Sequence, residues 1–469
     1  MKSTKPNRIS KVESCSETLT SRAGLALFHQ YLNQIGIIAL ISSCFPYLKK
    51  SSKGVGLQDL FRQVFCYFAD GSRLKLTQFD HLKQDDGYAA ILETSTNNLA
   101  SSHTVKRFFK AFRIRCQGPF RKVLQTLFLW RLKQKRPKFL EITLDTMVMN
   151  NEHAQKRQGS EATYKRVQGF QPIQLIWDGF IVDAIFRRGK RHSLYGNHAF
   201  QMIEDCVAFV RAHYDADLPI VFRLDSGFLS EELIDLMNEL RVGFVLAGKM
   251  YSAAIEKVKE ISPKDWQTFK KGNNLWKYAS FRYQCNKWAQ GYPALYTALV
   301  AEEGQQVFHF GRPDNIILTN LEAGNPTFDS MDEDSQKHWA KAETILHSHH
   351  QRGADELPHR AFKEFGSEQL PFQAQRHNRP YYYLMLIAFF LFQAFQEDAL
   401  SPVTKVRSYA NTVRRNVFDI AAKIVRKGHQ LILKVQQCHF RLLNFDELFK
   451  LAKNAAPISP VTSGSGFFD

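Results

Sequence analysis

The chain has 469 residues, 44% of them hydrophobic, and a formal net charge of +18. That length exceeds one ordinary domain and predicts roughly two to four, and the apolar fraction excludes a disordered chain. The excess of 63 Lys and Arg over 45 Asp and Glu points to a polyanionic partner, against the plainer reading of a basic but inert surface.

Seven cysteines are scattered without any C-x2-C pair. That spacing argues against a zinc ribbon and fits reduced thiols in a cytoplasmic protein. The first residues, Met1 to Arg8, are polar and lack the apolar segment of a signal peptide. From Arg22 to about Lys135 the periodicity is helical, as in Leu57, Leu60, Phe61, Val64, Phe65 and Phe68. Within it, Ser101 to Lys110 reads as a polar cap followed by paired basic and aromatic residues, including Lys106 and Arg107. Such a segment is either the start of a DNA-reading helix or an amphipathic helix with a solvated basic face.

From Lys138 the pattern changes. An apolar strand, Phe139 to Leu144, ends at Asp145. Phe170 to Trp177 and Phe180 to Phe186 read as a hairpin around Asp178-Gly179. A helix with Phe200, Ile203, Val207 and Val210 on one face follows. The next strand, Leu218 to Leu224, ends at Asp225. Ser230 is a good N-cap, with Glu231 and Glu232 in the first turn, and Val242 to Ala247 is a fifth strand. Three strands with an antiparallel hairpin, then helix, strand, helix, strand, is the order of a ribonuclease-H-like α/β core.

Residues from about 250 to 335 then read as β-rich, in Trp276–Tyr283, Tyr292–Ala301, Val307–Phe310 and Ile316–Leu321. The long separation of Asp225 from Glu356 predicts an inserted β domain. Trp266, Trp276 and Trp288 lie there among Lys270, Lys271, Lys277 and Lys287. Such aromatics stack an unpaired base or simply fill the insertion's own core. Ser335 to about Leu357 reads as one helix, and Tyr381 to Phe395 as a buried helix, short for a bilayer span of about 20 residues. A basic amphipathic helical region closes the chain.

The expected partition is a flexible 1–20, a helical 21–137 for DNA binding or dimerisation, core 138–249, insertion 250–334, core with the glutamate helix 335–396, and a basic helical 397–469 with its tail.

Two strand-end aspartates and a late helical glutamate between basic residues are the parts of a two-metal enzyme acting on DNA. Two divalent cations about 4 Å apart activate an oxygen nucleophile and stabilise the leaving oxygen, and hard cations take carboxylate oxygens. Asp145, Asp225 and Glu356 are the expected metal ligands and catalytic residues. Each aspartate alone reads equally as a turn former; the set is far more specific. The three histidines His347, His349 and His350 read as a solvated helix face rather than a metal cluster. Arg187 to His192 is a basic loop.

The chain from about Lys138 to Phe395 resembles the DDE transposases of insertion sequences with a Tyr-Arg-Glu-Lys signature, the insertion-sequence-4-like superfamily, and within it the 1380-type group. Leu144-Asp145-Thr146-Met147-Val148 is similar to the first-aspartate strand, and Tyr164 with Gly169-Phe170-Gln171-Pro172 to the segment after it. Arg223-Leu224-Asp225-Ser226-Gly227-Phe228, Leu318-Thr319-Asn320-Leu321 and Gln351-Arg352-Gly353-Ala354-Asp355-Glu356 are similar to its later motifs.

The resemblance implies a cut-and-paste transposase using two Mg²⁺ or Mn²⁺ ions. It would cleave element ends and transfer strands between terminal inverted repeats and target DNA, as a homodimer, in a bacterial-type cytoplasm near the nucleoid and away from membrane. It implies phosphate contacts by Arg352 and Lys363. The signature tyrosine position is His349, which can still bond a phosphate. Alternatives are a catalytically inactive, transposase-derived DNA-binding protein, or a structure-selective nuclease on the same core. Pro358 predicts that the glutamate helix kinks or ends near Leu357, which would part Lys363 from the face of Glu356 and leaves Glu343, Asp355 and Glu364 as further acids.

Overall fold

The computed structural model describes residues 8–49, 53–154, 156–271, 274–285, 288–300, 315–350 and 352–459. The expected strand Val307–Phe310, and Lys287, lie outside them.

The N-terminal part is helical. It includes α1 (Leu25–Ile35), α2 (Leu57–Asp70), α3 (Ser102–Ala111) and α4 (Gln117–Lys135). Ser101 caps α3, its Oγ accepting from the Thr104 N–H at 3.3 Å. The central strands and helices follow: β1 (Leu140–Thr146), β2 (Ile173–Trp177), β3 (Phe180–Ile185), α5 (His198–His213), β4 (Ile220–Leu224), α6 (Glu231–Glu239) and β5 (Gly243–Ala247). The β2–β3 turn is the expected one: Asp178 and Gly179 both take positive φ, 46° and 75°, as a two-residue hairpin needs.

The insertion supplies β6 (Gln267–Lys271), β7 (Asn274–Tyr283), β8 (Tyr292–Leu299) and β9 (Asn315–Thr319). These strands do not form a sheet of their own. One nine-stranded mixed sheet runs β6-β7-β8-β9-β5-β4-β1-β2-β3, because β9 pairs antiparallel with the otherwise open edge of β5.

The sheet buries both faces. Ile142, Leu144, Phe222, Leu224, Phe244 and Leu246 point to the large core shared with α5 and α6. Val221, Val245 and Ile317 point the other way, against Trp339, Ile345 and Leu346. These come from α7 (Glu333–Trp339) and α8 (Ala342–His350). The single helix expected from Ser335 to Leu357 is therefore several.

After α8 comes α9 (Arg352–Phe365), which carries Pro358 inside it. Of the kink or end expected near Leu357, the end does not occur. Pro358 forfeits one backbone bond and crowds its neighbour, at about 3 kcal/mol. Phe362 and Phe365, both fully buried beyond it, each contribute about 1.5–3 kcal/mol and hold the helix together.

The last long helix, α10 (Gln375–Phe395), is apolar enough to pass as a membrane span, but 89% of its most apolar window is buried in the protein. The C-terminal region departs from the expected all-helical reading. It forms a hairpin, β10 (Ala422–Lys427) and β11 (Gln430–Val435), before α11 (Phe445–Asn454). Gly428 turns it with φ 60°, and Ile424, Val425, Ile432 and Val435 suit a pleated ribbon. Leu19 and Thr20, expected to be loose, pair with Lys423 and Ala422 at its edge.

Candidate active site

Asp145 lies near the C-terminal end of β1, and Asp225 directly follows β4. The two strands are parallel, with Leu144 opposite Leu224, so the aspartates are neighbours at the same end of adjacent strands. Alternation places Glu141, Thr143 and Asp145 on the face that α8 and α9 cover. Each carboxylate is held by backbone. Asp145 Oδ1 accepts from the Thr146 N–H at 2.6 Å. Asp225 Oδ1 accepts from the Gly227 N–H at 2.7 Å and starts a tight turn.

Because α9 passes through Pro358 without ending, Arg352, Glu356, His359 and Lys363 fall at steps of four, three and four. That spacing is one stripe of a helix. The stripe meets the sheet at His359, whose Nδ1 lies 3.8 Å from Asp145 Oδ2. His359 is buried and its Nε2 has no hydrogen-bond partner. Burial first, then the nearby Lys363 and Lys165 ammonium groups, lower its pKa from 6.5 to about 3. Glu356, one turn earlier, is exposed. Lys363 Nζ pairs with Glu368 Oε1 at 2.6 Å. The Arg352 backbone is helical; its side chain lies outside what is described.

Among the described residues, no three His, Cys, Asp or Glu side chains gather around a single metal position. The structure thus sets Asp145 and Asp225 at the same end of adjacent strands, puts His359 beside Asp145 and leaves Glu356 exposed. The donors present still suit a hard cation, since Mg²⁺ is commonly held by one or two carboxylates together with waters and substrate phosphates.

His349 does not fit the role expected of it. It is buried, and its Nε2 bonds Asn315 Nδ2 at 2.9 Å, because its helix packs across β5 and β8 of the sheet. Its imidazole is turned into the fold and away from solvent. His350 packs its ring 4.6 Å from that of Trp276, so the expected solvated histidine face holds only for the exposed His347. Trp266, Trp276 and Trp288 are all half-buried, and Lys277 lies over Trp266 at 4.9 Å. Lys106 and Arg107 are exposed on α3.

Two residues carry more than the motif reading gives them. His359 is one; the heptad-like spacing along α9 is its signal, once the helix is known to continue. Arg223 is the other. It bonds Thr143 Oγ1 at 2.8 Å, Glu141 Oε1 at 2.9 Å and the Ser348 carbonyl at 3.1 Å. It therefore ties both aspartate strands to the end of α8, the helix that leads into α9.

These elements define a mixed α/β protein with paired acids at the end of its sheet. Residues 3–453 match the family described as transposase DDE domain, group 1, and the chain belongs to that family of DDE transposases. No curated protein matches the chain. A solved structure of piggyBac transposase in a synaptic complex with hairpin DNA is similar over 94% of this chain and 87% of that one, at 12% identity and a TM-score of 0.40.

Proposed function

We propose that the chain cleaves the ends of a DNA element and joins them to target DNA, as a cut-and-paste transposase of the insertion-sequence-4-like superfamily and its 1380-type group. The observation that carries this is the parallel β1–β4 register, which makes Asp145 and Asp225 neighbours. The sheet order β5-β4-β1-β2-β3, with β4 and β5 parallel to β1 and β2 antiparallel to it, supports a ribonuclease-H-like core.

Asp145, Asp225 and Glu356 would hold two Mg²⁺ or Mn²⁺ ions, which supply nucleophile activation and leaving-group stabilisation. The backbone bonds to Asp145 and Asp225 fix their carboxylates before DNA arrives. Lys363 exchanges Glu368 for a DNA phosphate, and Arg352 at the start of the same stripe contacts the backbone. Lys106 and Arg107 bind the element end. Two ends are synapsed by a homodimer, in the cytoplasm and close to the nucleoid.

In the test, Asp145→Asn and Asp225→Asn retain binding to terminal-repeat DNA and lose metal-dependent cleavage by at least about a thousandfold, a scale set by two-metal catalysis. Cleavage that survives either change refutes the assignment. The exposed placement of Glu356 favours a second reading, a transposase-derived DNA-binding protein without activity. Cleavage by the wild type with Mg²⁺ or Mn²⁺ eliminates that reading.

A further inference from the structure

We propose that the loop between β3 and α5 builds a phosphate site beside Asp225: Arg191, His198 and the first N–H groups of α5 receive one phosphate of the DNA backbone, and the buried Arg187 supplies a fixed positive charge beneath them. The proposal rests on the reading of the chain as a DNA-cleaving protein and adds a contact surface away from α9.

The loop is pinned from within and carries unbalanced charge. Arg187 is 3% exposed. Its Nε donates to the Gln171 carbonyl at 3.0 Å and its Nη1 to the His192 carbonyl at 3.2 Å, while Nη2 has no hydrogen-bond partner. Neighbouring cations are neutralised: Arg188 pairs with Glu161 at 3.7 Å, and Arg121 with Asp183 and Asp205 at 2.6 and 3.0 Å. Among the described residues, Arg187, Arg191 and His198 have no acidic partner. A buried cation without a counter-charge is costly. Burial, with the Arg191 charge adding to it, brings the Arg187 pKa down to about 10. Burial, then the Arg187, Arg121 and Arg191 charges, hold the His198 imidazole below its ordinary value. These groups therefore share one positive field, which an anion among them would relieve.

The helix α5 starts at the same point. It is 16 residues long, Asn197 before it makes no capping bond, and its first turn holds no acid. The first N–H groups of a helix have no partner within it and carry partial positive charge, a combination that binds phosphate. Arg191 sits over the Tyr195 ring, 3.6 Å from its centre, which orients its half-exposed guanidinium. Ser193 joins this loop to the candidate active site. A side-chain carbon added at Gly227 would lie 2.7 Å from Ser193 Oγ and 2.8 Å from Asp225 Oδ1. A phosphate held by the loop thus lies along the strand from the one the aspartates would act on, and its contacts supply position rather than sequence preference.

The test measures binding of the full-length protein to terminal-repeat DNA without divalent metal, so that the outcome does not depend on cleavage. Arg191→Ala, a change at the surface of the loop, should flatten the slope of log K against log salt by about one unit, the worth of one phosphate contact. Arg191→Lys keeps the charge and should keep the slope. Replacing one backbone phosphate at a time by a neutral methylphosphonate should reveal one position, next to the cut, at which the wild type loses affinity and Arg191→Ala loses no more. A slope in Arg191→Ala equal to that of the wild type overturns the proposal, as do methylphosphonate losses that add to those of Arg191→Ala at every position. Cleavage assayed separately with Mg²⁺ or Mn²⁺ distinguishes the two levels. Both binding signatures without any cleavage would refute the enzyme reading and keep the phosphate site, whereas cleavage with neither signature would refute the site alone.

Discussion

The Arg223 guanidinium lies between two strands and a helix end, and its bonds to Glu141, Thr143 and Ser348 set where the aspartates stand relative to α9. Ser348 Oγ also donates to Glu141 Oε1 at 2.5 Å, so the carboxylate is shared by a cation and a hydroxyl. Removing one partner of a buried pair costs about 3–5 kcal/mol. Glu141 is a quarter exposed, which lowers the expected loss for Arg223→Met to about 2–3 kcal/mol. Arg223→Lys keeps charge but not the fork, and should lose about half of that. Urea unfolding measures both, and a loss below about 1 kcal/mol in Arg223→Met would show that the network does not hold the strands.

Stability also depends on pH through His29. Burial, with the Arg62 charge adding to it, lowers the His29 pKa from 6.5 to about 3. Between those values the unfolded chain binds a proton that the folded chain refuses, so stability rises with pH across that window. The contribution is complete above pH 6.5 and is lost as pH falls toward 3. His29→Leu should shrink the stability difference between pH 7 and pH 5 by about 1–2 kcal/mol. An unchanged pH slope in urea titrations would contradict this.

At the scale of elements, α9 is where local rules and the fold disagree. Pro358 lines a cavity of about 550 Å³ between α9 and the sheet, together with Leu357, Ala361, Glu141, Thr143 and Arg223. Pro358→Ala restores a helical backbone bond worth up to about 3 kcal/mol. It also removes two buried methylene groups, at about 0.8 kcal/mol each. A net gain of about 1 kcal/mol is expected, read as a higher urea midpoint. A destabilised variant would mean that the ring itself supports the cavity wall.

The strands ending at Asp145 and Asp225 are legible because Leu140, Ile142 and Leu144, and Ile220, Phe222 and Leu224, are all buried and form short apolar runs. The β2–β3 hairpin is legible from Asp178-Gly179 alone. The C-terminal hairpin is not, since Lys423, Arg426, Lys427 and Lys434 interrupt its apolar residues and mimic an amphipathic helix. Its partner, Leu19–Thr20, is hundreds of residues away. His359 is illegible for a related reason: its position means something only if the helix survives Pro358, and packing of Phe362 and Phe365 decides that.

At the scale of the whole molecule, the N- and C-terminal helices share one core. Arg131 on α4 pairs with Glu397 at 2.5 Å and Asp398 at 2.8 Å. Trp130 Nε1 donates to the Ala456 carbonyl at 3.1 Å. A fragment ending near Gln134 would expose these groups, so end recognition is best tested in the full chain. The surface for it is α3. Val105, Phe108 and Phe109 anchor the helix inward, while His103, Lys106, Arg107 and Lys110 are exposed. One amphipathic helix thus keeps its cations clear of the core, as a backbone-binding element must. Each phosphate contact contributes about 0.9 to the slope of log K against log salt. Lys106→Ala with Arg107→Ala should therefore flatten that slope by about two units for terminal-repeat DNA. Contacts to phosphate alone would weaken binding to random DNA equally, whereas base contacts would erode the preference for the terminal repeat. A salt dependence identical to the wild type would remove α3 from the interface and leave its basic face merely solvated.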